Sequence, residues 1–279
     1  MMKNLLSKQA ALKAGKWATL AFAGYVGGLY LAQRHLVFRP TRKPVKAPPD
    51  LPTHHVEPIL LGTEDGHVLE GWMLWPRQGA APYSAILYFG GRRENVAWMR
   101  RSAPAFAGRV LALFNYRGYG RSSGRPSERR ILRDALLQYD LVVADKRLDK
   151  HRIAVAGRSL GTAVAAYVAA ERAPAAAVLL SPYDSMLRLA KRHVRLAPVS
   201  LLLRHRFEVT RSARWATCPC LVLKAERDQV IPHEFSDRLI KAWAGPVESL
   251  TIPRTNHLSL PLSKKTLAAI AEFLERRLI

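Results

Sequence analysis

Cysteine is nearly absent from this 279-residue chain, which carries only Cys218 and Cys220. Two thiols that close in one extended stretch do not bridge without strain, so a disulfide scaffold is excluded. No histidine pair lies near them, and a metal site there is not expected. Acidic residues are scarce as well: 21 Asp+Glu face 44 Lys+Arg, a formal charge of +23. Such an excess suits nucleic acid, an anionic membrane face or an acidic substrate. No zinc-finger spacing or RNA-binding signature accompanies it, so nucleic acid is not the expected partner. Disorder is excluded too, because residues that are 49% hydrophobic and spread along the whole chain can bury enough surface to offset chain entropy. There is no internal repeat.

Charge is also missing from one stretch near the start. Trp17 to Gln33 holds no ionisable acid or base other than Tyr25 and Tyr30, and Leu36, Val37 and Phe38 extend its apolar character. The length is about that of a bilayer-spanning helix. Four lysines precede it and five cations follow it, so the positive-inside comparison is close to a tie and the side of the membrane stays open. A cleaved signal peptide is the second reading, weakened because Tyr30 is unsuited to a small-x-small cleavage site; a buried helix of the domain is the third. The expected organisation is a membrane anchor over 1–38, an extended Pro-rich basic linker over 39–53 that includes no regular helix, and one domain over 54–279. His54-His55 reads as linker rather than as a ligand pair.

Beyond the linker, short apolar runs at 56–62, 68–75, 84–90, 110–116, 152–157, 176–181, 220–226 and 247–252 read as strands. Helical patterns near 94–107, 127–146, 160–172, 233–244 and 263–278 separate them. Two opening strands followed by strand–helix repeats predict an α/β fold with a mostly parallel sheet covered on both faces.

One motif carries chemistry. The strand RIAVAG runs into Gly157-Arg158-Ser159-Leu160-Gly161 and then into a helical pattern, which is a G-x-S-x-G turn in strand–turn–helix context. Its glycines let the backbone turn sharply and hold Ser159 at the strand tip. A serine hydroxyl needs a base, and the base needs an orienting carboxylate. Asp228 follows the strand ending at 226, and His257 follows the one ending at 252, both in loops at the carboxyl edge of the sheet. Asp184, in SPYDS after the strand at 176–181, is the competing acid.

With HLVFRP, LYFGG, NYRGYGRSSGRPSE, GRSLG, SPYDS, ERDQVIP and TNH in this order, residues 34–279 resemble the α/β-hydrolase superfamily, and within it the membrane-anchored serine hydrolases without a large cap domain. The resemblance implies an α/β-hydrolase fold of eight strands and hydrolysis of acyl esters or thioesters through an acyl-enzyme. It implies an oxyanion hole from the backbone N–H groups of Leu160 and Arg92. Many relatives read His-Gly-Asn where this chain has Gly90-Gly91-Arg92, a departure that spares a main-chain donor. The Arg92 side chain either meets an anionic substrate group or, the favoured reading, points into water. No metal or organic cofactor is implied, and a monomer is expected.

The remaining motifs are read structurally. The loop 115–128 lacks phosphate-loop spacing and shapes the site's surroundings, with Ser127 as an N-cap for the next helix. The leucine- and arginine-rich stretch 186–207 lies where the superfamily places a lid. A peptidase or amidase with the same three residues, and a non-catalytic membrane protein keeping the fold for binding, are the alternatives.

Overall fold

The computed structural model describes residues 2–41, 50–194 and 196–278, with side chains described from residue 12 onward. Helix α1 (Met2–Phe38) precedes the strands β1 (His54–Gly62), β2 (Val68–Pro76), β3 (Tyr83–Phe89) and β4 (Arg109–Phe114). Then come α2 (Glu128–Ala144), β5 (Leu148–Arg158), α3 (Leu160–Arg172), β6 (Ala176–Leu180) and the short helices α4 (Met186–His193), α5 (Val199–Leu202) and α6 (Val209–Ala213). The chain closes with β7 (Cys220–Arg227), α7 (His233–Ala242), β8 (Val247–Asn256) and α8 (Lys264–Arg277). All eight strands form one sheet in the order β1-β2-β4-β3-β5-β6-β7-β8. The β1/β2 and β2/β4 pairs are antiparallel, and every pair from β4/β3 to β7/β8 is parallel.

Alternation along the central strands explains the two layers of helices. Leu87 and Phe89 of β3 pack on one face with α2, α3 and α7, while Ile86 and Tyr88 pack on the other with α8 and a 3-10 segment at Val96–Phe106. A helix was expected over that last segment. The segment is instead a 3-10 helix with Pro104, which has no N–H to donate, inside it. Cys218 and Cys220 are both buried free thiols; burial pushes Cys218 up to about 12 and holds Cys220 well above the ordinary thiol value, so neither is a thiolate at neutral pH.

Three expectations for the amino-terminal region need correction. First, among the described residues no helix is long and apolar enough to cross a membrane. The uncharged run is helical, but Gly24, Gly27, Gly28, Tyr25, Tyr30 and Gln33 dilute its hydropathy. Its last turns are instead part of the domain: Phe38 is fully buried, and its carbonyl accepts from the Tyr119 hydroxyl and, at 3.2 Å, from the Arg93 N–H. Second, the start of the linker is pinned. The Thr41 hydroxyl donates to the Arg93 carbonyl (3.0 Å), and the Thr41 carbonyl accepts from Gly120 N–H (2.8 Å); linker residues 42–49 lie outside the described residues. Third, His54 and His55 belong to β1, not to a linker.

His54 is fully buried between the Thr53 hydroxyl (2.9 Å) and the Arg109 carbonyl (3.3 Å). Burial holds its imidazole below the ordinary 6.5, partly opposed by the Arg109 carbonyl. A base whose folded value is depressed binds fewer protons than in the unfolded chain, so stability is complete above that ordinary value and is lost as pH falls below it. Tm is therefore expected to drop between about pH 7.5 and 5.5, and His54→Gln is expected to flatten that drop in a thermal-melt series.

The loop 115–127 has the structural role read from its sequence. Arg117, fully buried, is held by Asp134 (2.5 Å) and Asp65 (2.8 Å), while the Asn115 amide donates to Glu70 (2.9 Å) and its carbonyl oxygen accepts from Val96 N–H (3.0 Å). Ser127 occupies the N-cap position of α2 without a side-chain cap bond.

Candidate active site

The parallel part of the sheet brings its carboxyl ends to one edge, and the loops leaving β5, β7 and β8 meet there. At the end of β5, Ser159 sits at φ +50°, a left-handed conformation uncommon for a residue with a side chain. The two glycines around it are required by space. A Cβ on Gly157 meets the Gly161 carbonyl oxygen at 2.3 Å, and one on Gly161 meets the Phe89 carbonyl oxygen at 2.1 Å. The elbow is thus wedged between α3 and the end of β3, with Ser159 N–H donating to the Leu180 carbonyl at 2.9 Å.

Around this point the structure gathers three of the residues singled out by sequence. His257 Nε2 lies 3.0 Å from Ser159 Oγ, and its Nδ1 lies 2.9 and 3.1 Å from the two carboxylate oxygens of Asp228. The Asp228 side chain is almost completely buried and also accepts N–H bonds from Val230 (3.0 Å) and Ile231 (2.8 Å). Burial alone raises a carboxyl, but the His257 N–H and charge and the Ile231 N–H outweigh it, so Asp228 titrates below its ordinary value. The carboxylate is ionised at neutral pH and faces the imidazole.

Asp184 is not brought to this cluster. Its buried carboxylate accepts from Arg188 (3.0 Å), from Arg238 (2.5 Å) and from the Ser185 N–H (2.7 Å), fixing the start of α4 against α7. Both arginines bond Oδ2 and the Ser185 N–H takes Oδ1, so the carboxylate is engaged away from the imidazole, which meets Asp228 instead.

The loop after β3 supplies the remaining geometry. Gly91 N–H donates to Glu94 Oε2 (2.8 Å), Arg93 N–H to Phe38 and Glu94 N–H to Gly91. Among the described residues the Arg92 and Leu160 N–H groups have no such partner, so both are available beside Ser159. Arg92 is exposed and borders both cavities that open at Ser159. Desolvation, with Arg39 and Arg93 nearby, holds its guanidinium below the usual arginine value.

Two residues that shape this loop were not legible in the sequence. Glu94 is buried and accepts from Gly91 N–H, the Tyr88 hydroxyl (2.7 Å), the Trp98 indole (2.7 Å) and Arg158 (2.9 Å). Arg158, the unspecified residue before the serine, donates through its other nitrogen to the His257 carbonyl (3.2 Å). The pair joins the β3 loop, the elbow and the His257 loop. No residue spacing announces it, because its members become neighbours only when three strands line up.

Two cavities meet at Ser159. One, of about 510 Å³, has a mixed lining in which Arg92, Glu94, Arg158 and His257 stand beside Trp98 and Leu258. The other, of about 430 Å³, is lined mainly by apolar side chains of α1, α4 and α5. Both lie in the range of small-molecule sites. The cations of the 186–207 stretch are mostly engaged: Arg188 with Asp184, Arg206 with the carbonyls of Leu203 (3.4 Å) and Ser200 (2.7 Å), and Arg204 over the Tyr30 ring at 4.3 Å. Arg195 lies outside the described residues.

Comparison with known proteins agrees with this architecture. Residues 85–212 match the family model described as the alpha/beta hydrolase fold. An uncharacterized protein of Mycobacterium tuberculosis is 33% identical over 256 residues, covering 90% of each chain. The lysophosphatidylserine lipase ABHD12 of Xenopus tropicalis is 27% identical over 87% of this chain and 76% of its own. Among solved structures, the acetyl xylan esterase from Paenibacillus sp. R4 superposes with a TM-score of 0.69 at 19% identity, over 84% of this chain and 87% of the other. An esterase of Pyrococcus furiosus gives 0.69 at 20%, over 86% and 99%. At such identities the structural likeness speaks for the fold. Matched by the family model and related to the mycobacterial protein over nine-tenths of its length, the chain belongs to the α/β-hydrolase superfamily.

Proposed function

We propose that the protein is a serine hydrolase that cleaves carboxylic esters or thioesters through an acyl-enzyme. The observation that carries this reading is the continuous contact from Ser159 Oγ through the His257 ring to Asp228, at 3.0 and 2.9 Å. In the reaction, Ser159 Oγ attacks the acyl carbon while His257 Nε2 takes its proton. The oxyanion that forms accepts from the N–H groups of Leu160 and Arg92. Asp228 holds the proton on Nδ1, so that Nε2 is the free base, and stabilises the imidazolium. His257 then protonates the departing alcohol or thiol. Water repeats the attack under the same base, and the acid leaves.

Acyl chains of lipid type are favoured by the apolar cavity that opens at Ser159, and the lipase among the relatives supports the same class. Fluorophosphonate labelling of the folded protein, with p-nitrophenyl butanoate hydrolysis in parallel, tests the assignment. Labelling at Ser159 is expected; a folded protein that neither labels there nor hydrolyses the ester refutes it.

Helix α1 favours a lipid surface without spanning it. Leu12, Trp17, Leu20 and Phe22 are exposed along it, next to Lys13 and Lys16. Each cation near an anionic bilayer contributes about 1 kcal/mol. Co-sedimentation with phosphatidylglycerol vesicles is expected, weakening with salt and lost when residues 2–28 are deleted. Equal sedimentation of the shortened protein refutes the role of α1.

A further inference from the structure

The apolar cavity has an unusual wall. Leu29, Gln33, Leu36 and Val37 of α1 line it, and it reaches Ser159 and Leu160 at the elbow. These four positions follow helical spacing, so they share one face of α1. That face is not loosely apposed. Gln33 is buried and clamps the helix to the segment after α5: its amide nitrogen donates to the Leu202 carbonyl (3.3 Å), and its oxygen accepts from Arg204 N–H (2.8 Å). Phe38 adds edge contacts to His205 (4.9 Å) and Phe207 (6.0 Å).

The helix also has a fixed direction relative to the chemistry. Its carboxyl end is tied through the Phe38 carbonyl to Arg93, next to Arg92 beside Ser159. Leu29 stands eight residues back from Val37, about 12 Å along the helix axis. Among the lining residues of α1 it is therefore the farthest from the bound end. The other cavity sets the charged Arg92, Arg93, Glu94 and Arg158 beside Trp98 and Leu258, a mixed lining that suits hydrocarbon less well than the wall along α1.

We propose that the acyl chain of the substrate lies along this face of α1 and that α1 sets the chain length accepted, with Leu29 at the distal end. The proposal rests on the acyl-ester reading for its place in a reaction, but not for its test. The amino-terminal helix is then a component of the substrate site as well as a contact with lipid. Each methylene buried along the wall contributes about fourfold in affinity.

The test is equilibrium binding of dodecanoate and hexanoate to the full chain by titration calorimetry, below micellar concentrations. Leu29→Trp, which fills the distal end, is expected to weaken dodecanoate about tenfold, the loss of nearly two methylene contacts, and to leave hexanoate within about twofold. Leu31→Trp, at an exposed position on another face of the same helix, is expected to change neither. Leu29→Ala introduces no clash and guards against a misfolded tryptophan variant. It is expected to raise the affinity of tetradecanoate relative to dodecanoate. The proposal is overturned if dodecanoate does not bind, if Leu29→Trp and Leu29→Ala leave the chain-length profile unchanged, or if Leu31→Trp weakens dodecanoate as much as Leu29→Trp does. Binding does not depend on turnover, so loss of Ser159 chemistry removes the proposed reaction without touching this result.

Discussion

Replacement of Ser159 by alanine is expected to lower kcat for p-nitrophenyl ester hydrolysis by about a million-fold and to abolish fluorophosphonate labelling. The size follows from what is removed. Oγ is the only hydroxyl within hydrogen-bond reach of His257 Nε2 among the described residues, so no neighbour can take its place. The substitution leaves the elbow's space unchanged, because the Cβ stays and only one oxygen is lost. Residual turnover arises from the oxyanion donors, whose N–H groups belong to the backbone. A variant with unchanged melting behaviour and wild-type turnover sinks the nucleophile assignment. A variant that unfolds points to a structural serine instead, and the φ of +50° makes that comparison informative, since the strain is carried by the backbone and remains in alanine.

The second large effect separates two acids. Asp228→Asn is expected to reduce kcat about 10⁴-fold with little change in fold, because an amide facing Nδ1 favours the wrong imidazole tautomer and offers no charge to the imidazolium. Asp184→Asn is expected to do the reverse. Its carboxylate is 1% exposed and accepts from two arginines, so neutralising it costs about 1–3 kcal/mol of stability, read as a lower urea midpoint, while kcat stays close to wild type. The arginines retain access to water at 60% and 37% exposure, which keeps the cost from reaching that of a fully buried broken pair. If Asp184→Asn destroys activity in a folded protein and Asp228→Asn does not, the roles are exchanged.

Much of this arrangement is legible in the sequence. Strand runs such as 110–116 and 176–181 are apolar at consecutive positions because both faces of β4 and β6 are covered, and that pattern marks a central parallel strand. The elbow was legible for a local reason: Gly157 and Gly161 are required by contacts within a few residues and with one neighbouring strand. Asp228 and His257 were placed by their position after strands. The sequence puts Asp228 first and keeps Asp184 as the competing acid, since Asp184 also leaves a strand at the same edge; the folded contacts bring Asp228 to His257. The α1 expectation failed differently. Absence of charge over seventeen residues predicts membrane length, but glycine, tyrosine and glutamine carry no charge and little hydropathy, and the uncharged Gln33 is a clamp within the fold.

Composition, strand pattern and the spacing of one serine turn thus determined the fold class, the nucleophile candidate and the order of its partners, because each depends on contacts close in the chain or on burial repeated along it. Tertiary structure alone decided that Asp228 rather than Asp184 meets the imidazole, that Glu94 and Arg158 tie three loops together, and that α1 ends as a wall of the cavity at Ser159. The physical reason is common to all three: a hydrogen bond or ion pair between residues some 30 to 170 positions apart leaves no period or spacing in the sequence, and it exists only once the sheet has brought the strand ends to one edge.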